Sequence, residues 1–191
     1  MAHKHTAHLR FFFELGQLRE NPRSGWSIVG IAEKESVAAH TARTALIAYV
    51  LAHLEGASSP EHVGMMALVH DVTECRSGDL HKIAQRYVAI DEEAIARDQF
   101  TPLGAAGEAM QDLWTEYHRR ETLASRIVKD ADLLEVALTA KEYVARGYAD
   151  ADDWYRNAGK GLTTEAAKAL WRTLGTEPPA SWWRGLKRLE P

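Results

Sequence analysis

The chain has 191 residues with 23 Lys and Arg against 27 Asp and Glu, a formal charge of −4, and 46% apolar and 26% charged residues. This composition fits one folded domain and excludes wholesale disorder. No apolar run approaches the ~20 residues that cross a bilayer, and the mildly acidic balance gives no electrostatic case for nucleic acid or an anionic membrane. Phe11-Phe12-Phe13 is flanked by Arg10 and Glu14, so the N-terminal stretch lacks the apolar core of a signal peptide. The single cysteine, Cys75, cannot close an internal disulfide and points to a reducing, cytoplasmic setting. Nine histidines are many for this length, and their positions carry most of the information.

His3, His5 and His8 crowd a stretch of low apolar content and read as a frayed end or an appended tag rather than a metal site. Helical spacing begins at Leu9 and runs through Phe12, Phe13, Leu15 and Leu18. Asn21-Pro22-Arg23-Ser24-Gly25 breaks it and leaves Trp26 in a loop. A long helix is predicted over 35–53, stopped by Gly56. Ser58 with Glu61 forms a capping-box signature, and Pro60 suits the first turn of the next helix, predicted to reach Cys75 and end before Gly78. A further amphipathic stretch covers 92–117, interrupted near Pro102 and Gly104. The segment 122–146 is the most apolar helix and is expected at the centre. Shorter helices near 164–174 and 180–189 close the chain, the last packing Trp182-Trp183 onto the body or a partner chain. No strand-period segment or repeat is present. The expectation is an all-α fold in one domain over 1–191, with a core at about 9–150 and a helical extension over 151–191.

Three segments place polar groups on apolar faces. Val63, Met66, Ala67, His70, Asp71 and Glu74 share one face of a predicted helix, so an inward stripe ends in a histidine and two carboxylates. Burying such groups without partners costs several kcal/mol, so the alternatives are a metal ion, a polar pocket or a solvated helix end. His40 falls among Val37, Thr44 and Leu51 on the core face of its helix, where a lone histidine is more often a satisfied core residue. Asp132 lies inside the most apolar helix, where an ion pair with Lys129 or Arg126 is the plain alternative to a ligand role. Together they offer two imidazoles and two carboxylates to one divalent cation. That set suits Mn, Fe, Co, Ni or Zn, with Mg also admitted, and one cysteine excludes a Cys-rich zinc site.

His40, His70-Asp71 and Asp132, in this order on successive helices, resemble the HD-domain metal-dependent phosphohydrolases. Pro22-Arg23-Ser24-Gly25-Trp26, Glu35-Ser36-Val37-Ala38-Ala39-His40, His70-Asp71-Val72-Thr73-Glu74, Gly78-Asp79-Leu80 and Lys129-Asp130-Ala131-Asp132 are similar to the 5′-deoxynucleotidase branch, over roughly residues 15–145. The resemblance implies a helical bundle, commonly homodimeric, that removes the 5′-phosphate from deoxynucleoside monophosphates with a divalent cation. It implies His40, His70, Asp71 and Asp132 as metal ligands, Glu74 with Asp71 as catalytic residues, and a second cation as an option near Glu74 and Asp79. Asp79 matches the segment that meets the sugar, and Trp26 matches a tryptophan lining the deoxyribose pocket. Gly25 stands where some bacterial members have a phosphate-orienting arginine, so Arg23 and Lys82 are the phosphate candidates. Leu80-His81-Lys82 departs from a proline-containing segment of some relatives, and base preference does not transfer.

Two other readings compete. One is an HD hydrolase of nucleoside triphosphates or another small phosphate ester, which differs only in pocket shape. The other is a non-catalytic helical module with a structural metal, which would not need Glu74 or Asp79.

Overall fold

The computed structural model describes residues 5–186, and these form an all-α bundle with no strand among them. Two helices open the chain, α1 (Thr6–Leu15) and α2 (Gln17–Glu20), before the short 3-10 turn Ser24–Ser27. Then come α3 (Val37–Leu54), α4 (Pro60–Val69), α5 (Glu74–Ser77), α6 (Glu92–Phe100), α7 (Ala105–Arg119) and α8 (Leu123–Ala145). The chain closes with α9 (Asp152–Gly161) and α10 (Glu165–Leu174). No helix among the described residues is long and apolar enough to cross a membrane.

α8 is the central element and packs against α3, α4, α7, α9 and α10. Its Thr122 hydroxyl accepts the Ser125 N–H at 3.0 Å and starts the helix as an N-cap. Ser36 does the same for α3 through the Ala39 N–H at 3.2 Å. The main core joins Leu51, Val63, Met66, Ile127, Val128 and Leu134, all buried, so α3, α4 and α8 form one rigid unit. Asp130, wholly buried in α8, accepts the backbone N–H groups of Thr163 and Thr164 at 3.0 and 2.6 Å and thereby pins the α9–α10 connection.

Several expectations need correction. α1 begins at Thr6 rather than Leu9, and Gly16 separates it from α2. The capping box does not form: Ser59, not Ser58, is the N-cap of α4, and its side chain makes no cap bond. Proline is favoured at the first helical position, so Pro60 sets the boundary one residue later than the Ser58–Glu61 pairing requires. The helix predicted through Cys75 ends at Val69. His70 Nδ1 pairs with the Ala67 carbonyl at 2.6 Å, and beyond it the backbone pairs three residues apart, Val72 to Val69, Glu74 to Asp71 and Cys75 to Val72. Pro102 and Gly104 do interrupt 92–117, Gly104 with a φ of +62° that suits glycine. The predicted helix over 180–189 is absent where described, since residues 179–186 are turns behind Pro178-Pro179 and 187–189 lie outside the described residues. Trp182 is 76% exposed there rather than packed on the body. Within the expected helical extension over 151–191, α9 is an element that the sequence reading does not delimit. It packs along α8 and sets Trp154 against Trp26 at 5.6 Å between ring centres.

Candidate metal centre

His40 faces inward from the first turns of α3, and Asp132 faces it from the middle of α8. His70 caps the C-terminal end of α4 and Asp71 follows in the tightened turn. One ligand-type atom from each of His40, His70 and Asp132 lies within 4.8 Å of the others. His40 Nε2 is 3.3 Å from Asp132 Oδ1 and 3.7 Å from Asp71 Oδ2, while His70 Nε2 is 3.1 Å from Asp71 Oδ2. Three of the side chains read as ligands from the sequence thus form one cluster, and Asp71 lies against its two histidines. Neither histidine Nε2 makes a well-formed hydrogen bond, although both are buried. Buried polar atoms are normally satisfied, so two such nitrogens aimed at two carboxylates fit a divalent cation.

Electrostatics agree with that fit. Burial opposes ionisation of Asp71, yet His70, Arg23 and His40 around it hold its carboxyl well below the usual carboxylate range. Asp132 is likewise opposed by burial and held well below its usual range by Lys129 and His40. The Lys129 ammonium sits 2.6 Å from Asp132, so the ion pair weighed as an alternative forms without removing Asp132 from the cluster. His40 is disfavoured as a cation by burial and by Arg23, but Asp132 and Glu135 outweigh both and push it up to about 10. Glu74 is pushed up to about 9 by burial first and then by Asp71 and Asp79, and its Oε2 is buried without a partner. Carboxylates thus outnumber fixed cations at the centre, and protons take up the difference where a metal ion would.

The turn after α2 reaches this centre from the opposite side. Arg23 N donates to the Glu35 carbonyl at 3.0 Å, and Asn21 Nδ2 donates to the Glu74 carbonyl at 2.7 Å, tying the turn to both α3 and α5. Arg23 Nη1 lies 3.5 Å from Asp71 and 3.3 Å from Asp79, and the Ser24 N–H donates to Asp79 at 2.5 Å. Asp79 thus accepts from Arg23 at one oxygen and from the Ser24 N–H at the other. Trp26 departs from expectation as a pocket wall. It is 2% exposed, its indole N–H donates to Glu35 at 2.9 Å, and Tyr143 and Trp154 cover its ring. The tryptophan anchors the turn from beneath. Gly25 belongs to the same packing, because a Cβ there would lie 3.3 Å from Trp154 Nε1. Lys82 is exposed and donates to Gln85 at 2.9 Å; it lines a cleft of about 280 Å³ with Glu74, Ser77, Gly78 and Leu80.

Sequence reasoning missed the groups that pack behind His40. Glu135, wholly buried, lies 2.5 Å from His40 Nδ1, and Arg43, Thr139 and Glu35 surround it. Burial opposes ionisation of Glu135, but His40 and Arg43 hold it below its usual range. The signal was present: Asp132, Glu135, Thr139 and Glu142 recur at steps of three and four, a polar stripe along an apolar helix.

An all-helical bundle with paired histidines and carboxylates from α3, α4 and α8 is the arrangement of an HD domain. The chain belongs to the HD-domain family, whose profile matches residues 15–172. Among curated relatives, the 5′-deoxynucleotidase HDDC2 of Dictyostelium discoideum is 35% identical over 146 residues, covering 71% of this chain and 77% of the relative. The human 5′-deoxynucleotidase HDDC2 is 31% identical over 140 residues, covering 71% of this chain and 67% of the relative. A crystal structure from a structural-genomics effort is similar with a TM-score of 0.79 and 35% identity, over 93% of this chain and 99% of that one.

Proposed function

We propose that this protein is a metal-dependent 5′-deoxynucleotidase, a phosphoric monoester hydrolase that converts a deoxynucleoside 5′-monophosphate to the deoxynucleoside and phosphate. The observation that carries the reading is the pair of buried, unpartnered Nε2 atoms of His40 and His70 facing Asp71 and Asp132. Curated relatives named 5′-deoxynucleotidase support the substrate class. His40, His70, Asp71 and Asp132 would hold the cation, which when bound supplies Lewis acidity at a phosphoryl oxygen and makes water a better nucleophile.

The chain's own residues do the rest. Arg23, drawn between Asp71 and Asp79, is the cation within reach of a phosphate at this centre. Glu74, whose carboxyl burial and Asp71 push up to about 9, stands beside the ligands and is the group to exchange a proton with water or with the leaving 5′ oxygen. Water oxygen bonds to phosphorus, the bond to the 5′ oxygen breaks, and that oxygen leaves with a proton. Asp79 and the Ser24–Trp26 turn form the sugar side, with Trp26 fixing where that turn stands. Lys82, on the cleft rim, serves phosphate or base more remotely. The reading includes a homodimer, supported by exposed apolar residues such as Leu46, Val50 and Leu170, and a cytoplasmic setting suited to one unpaired cysteine.

The test is phosphate release from a panel of deoxy- and ribonucleotides, as mono- and triphosphates, with each divalent metal added to chelator-treated protein. Deoxynucleoside monophosphates should be cleaved fastest. Equal kcat/KM on ribonucleotides, or preference for triphosphates, would replace this reading with the broader phosphohydrolase one.

A further inference from the structure

All the groups assigned above act on the Nε2 side of His40. Its Nδ1 side holds a second cluster that no assigned role uses. Glu135 is the centre of that cluster, with Oε2 2.5 Å from His40 Nδ1. Its Oε1 accepts from Arg43 Nε at 2.8 Å and Nη2 at 2.6 Å, and from the Thr139 hydroxyl at 2.9 Å. Arg43 is fixed in turn by Glu142 at 2.9 Å. Glu35, the remaining carboxylate, receives the Trp26 indole N–H. Both oxygens of Glu135 are thus engaged by protein groups.

We infer that Glu135, held by Arg43 and Thr139, is a positioning residue that fixes the proton of His40 on Nδ1 and so presents Nε2 to the cation. The inference rests on the metal-dependent reading above and adds a residue to it. Its chemistry is simple. A carboxylate paired with arginine is an acceptor, so the hydrogen of the short Glu135–His40 contact belongs to imidazole Nδ1. The opposite nitrogen is then the one whose lone pair a bound cation would take, and it lies 3.3 Å from Asp132 without a well-formed hydrogen bond. With Oε1 held by Arg43 and Thr139, the position of Oε2 is set and with it the plane of the ring, as outer partners of metal-binding histidines do. An apolar residue at 135 would avoid the desolvation cost of a wholly buried carboxylate in an apolar helix, so packing alone gives no reason for glutamate here. His70 obtains the same orientation from an uncharged acceptor, the Ala67 carbonyl at 2.6 Å.

The experiment titrates chelator-treated protein with Co²⁺, followed by visible absorption of the bound ion, for wild type, Glu135→Gln and Arg43→Met. Circular dichroism of the metal-free proteins reports folding. Folded Glu135→Gln should bind Co²⁺ about 10–100-fold more weakly, the usual loss for an outer partner of a metal ligand, with an altered absorption spectrum and a fall in kcat larger than any rise in KM. Arg43→Met should move affinity and spectrum in the same direction by less. If Glu135→Gln does not fold, Arg43→Met, whose side chain is partly exposed, carries the test. Wild-type affinity and spectrum in the folded variants would overturn the inference while leaving the metal-dependent reading standing. Absence of Co²⁺ binding in wild type would overturn both.

Discussion

The two sides of the His40 ring are built from the same residue types and do opposite things. On the Nδ1 side, a guanidinium, a hydroxyl and His40 hold Glu135 below its usual range, and Glu35 receives an indole N–H although burial and Glu135 push its carboxyl up. On the Nε2 side, Asp71 and Asp132 meet two imidazoles and share Arg23 and Lys129, yet Glu74 is still driven to keep its proton and both Nε2 atoms lack partners. Histidines with carboxylates therefore do not by themselves define a metal site. The deficit of protein donors does, because a buried polar group left short is costly and a cation removes the shortfall.

The largest effect should come from removing a ligand. His70→Ala or Asp71→Ala removes one donor of four and should abolish both cation binding and phosphate release, read by metal analysis of the purified protein and by the release assay. Retention of bound metal in either variant would move that residue out of the ligand set. Glu74→Ala tests a group beside the ligands. It should keep the metal while lowering kcat by about 10²–10⁴, the range for proton transfer by a placed side chain. Loss of all metal would instead make Glu74 a ligand.

A smaller, differently directed effect separates two aspartates only two positions apart. Asp130 is filled by backbone donors from Thr163 and Thr164, and Asp132 faces the histidines. Asp130→Ala should lower thermal stability, since each buried donor left unpaired costs about 1–3 kcal/mol, while the folded protein keeps its metal. Asp132→Ala should lose the metal with far less effect on the α9–α10 connection, which calorimetry and metal analysis distinguish. Lys82→Ala should do least. The lysine is exposed on the cleft rim and donates to Gln85, so a modest rise in KM with unchanged metal content is expected from steady-state kinetics.

Much of the fold and half of the centre were legible because periodicity reports burial. Val37, His40, Thr44 and Leu51 were read on one face of α3, and all are wholly buried. Asp132 stood out as a charge inside an apolar run. What escaped depended on contacts between distant segments. The break after Val69 follows from the His70 side chain pairing with a carbonyl of its own helix, which spacing cannot show. Trp26 matched a sugar-lining motif, but its burial depends on Glu35, Tyr143 and on Trp154 from a helix that the sequence reading does not delimit. Glu135 could have been found as the next turn of the stripe that begins at Asp132, had charge rather than hydrophobicity been followed along α8.

The central claim is that the Nε2 side of His40 holds a divalent cation on which the chemistry depends. The most direct measurement is phosphate release from a deoxynucleoside 5′-monophosphate by chelator-treated protein, before and after a divalent metal is restored. The account predicts no release by the stripped protein and recovery in step with bound metal. Full release by protein shown to be metal-free would contradict it.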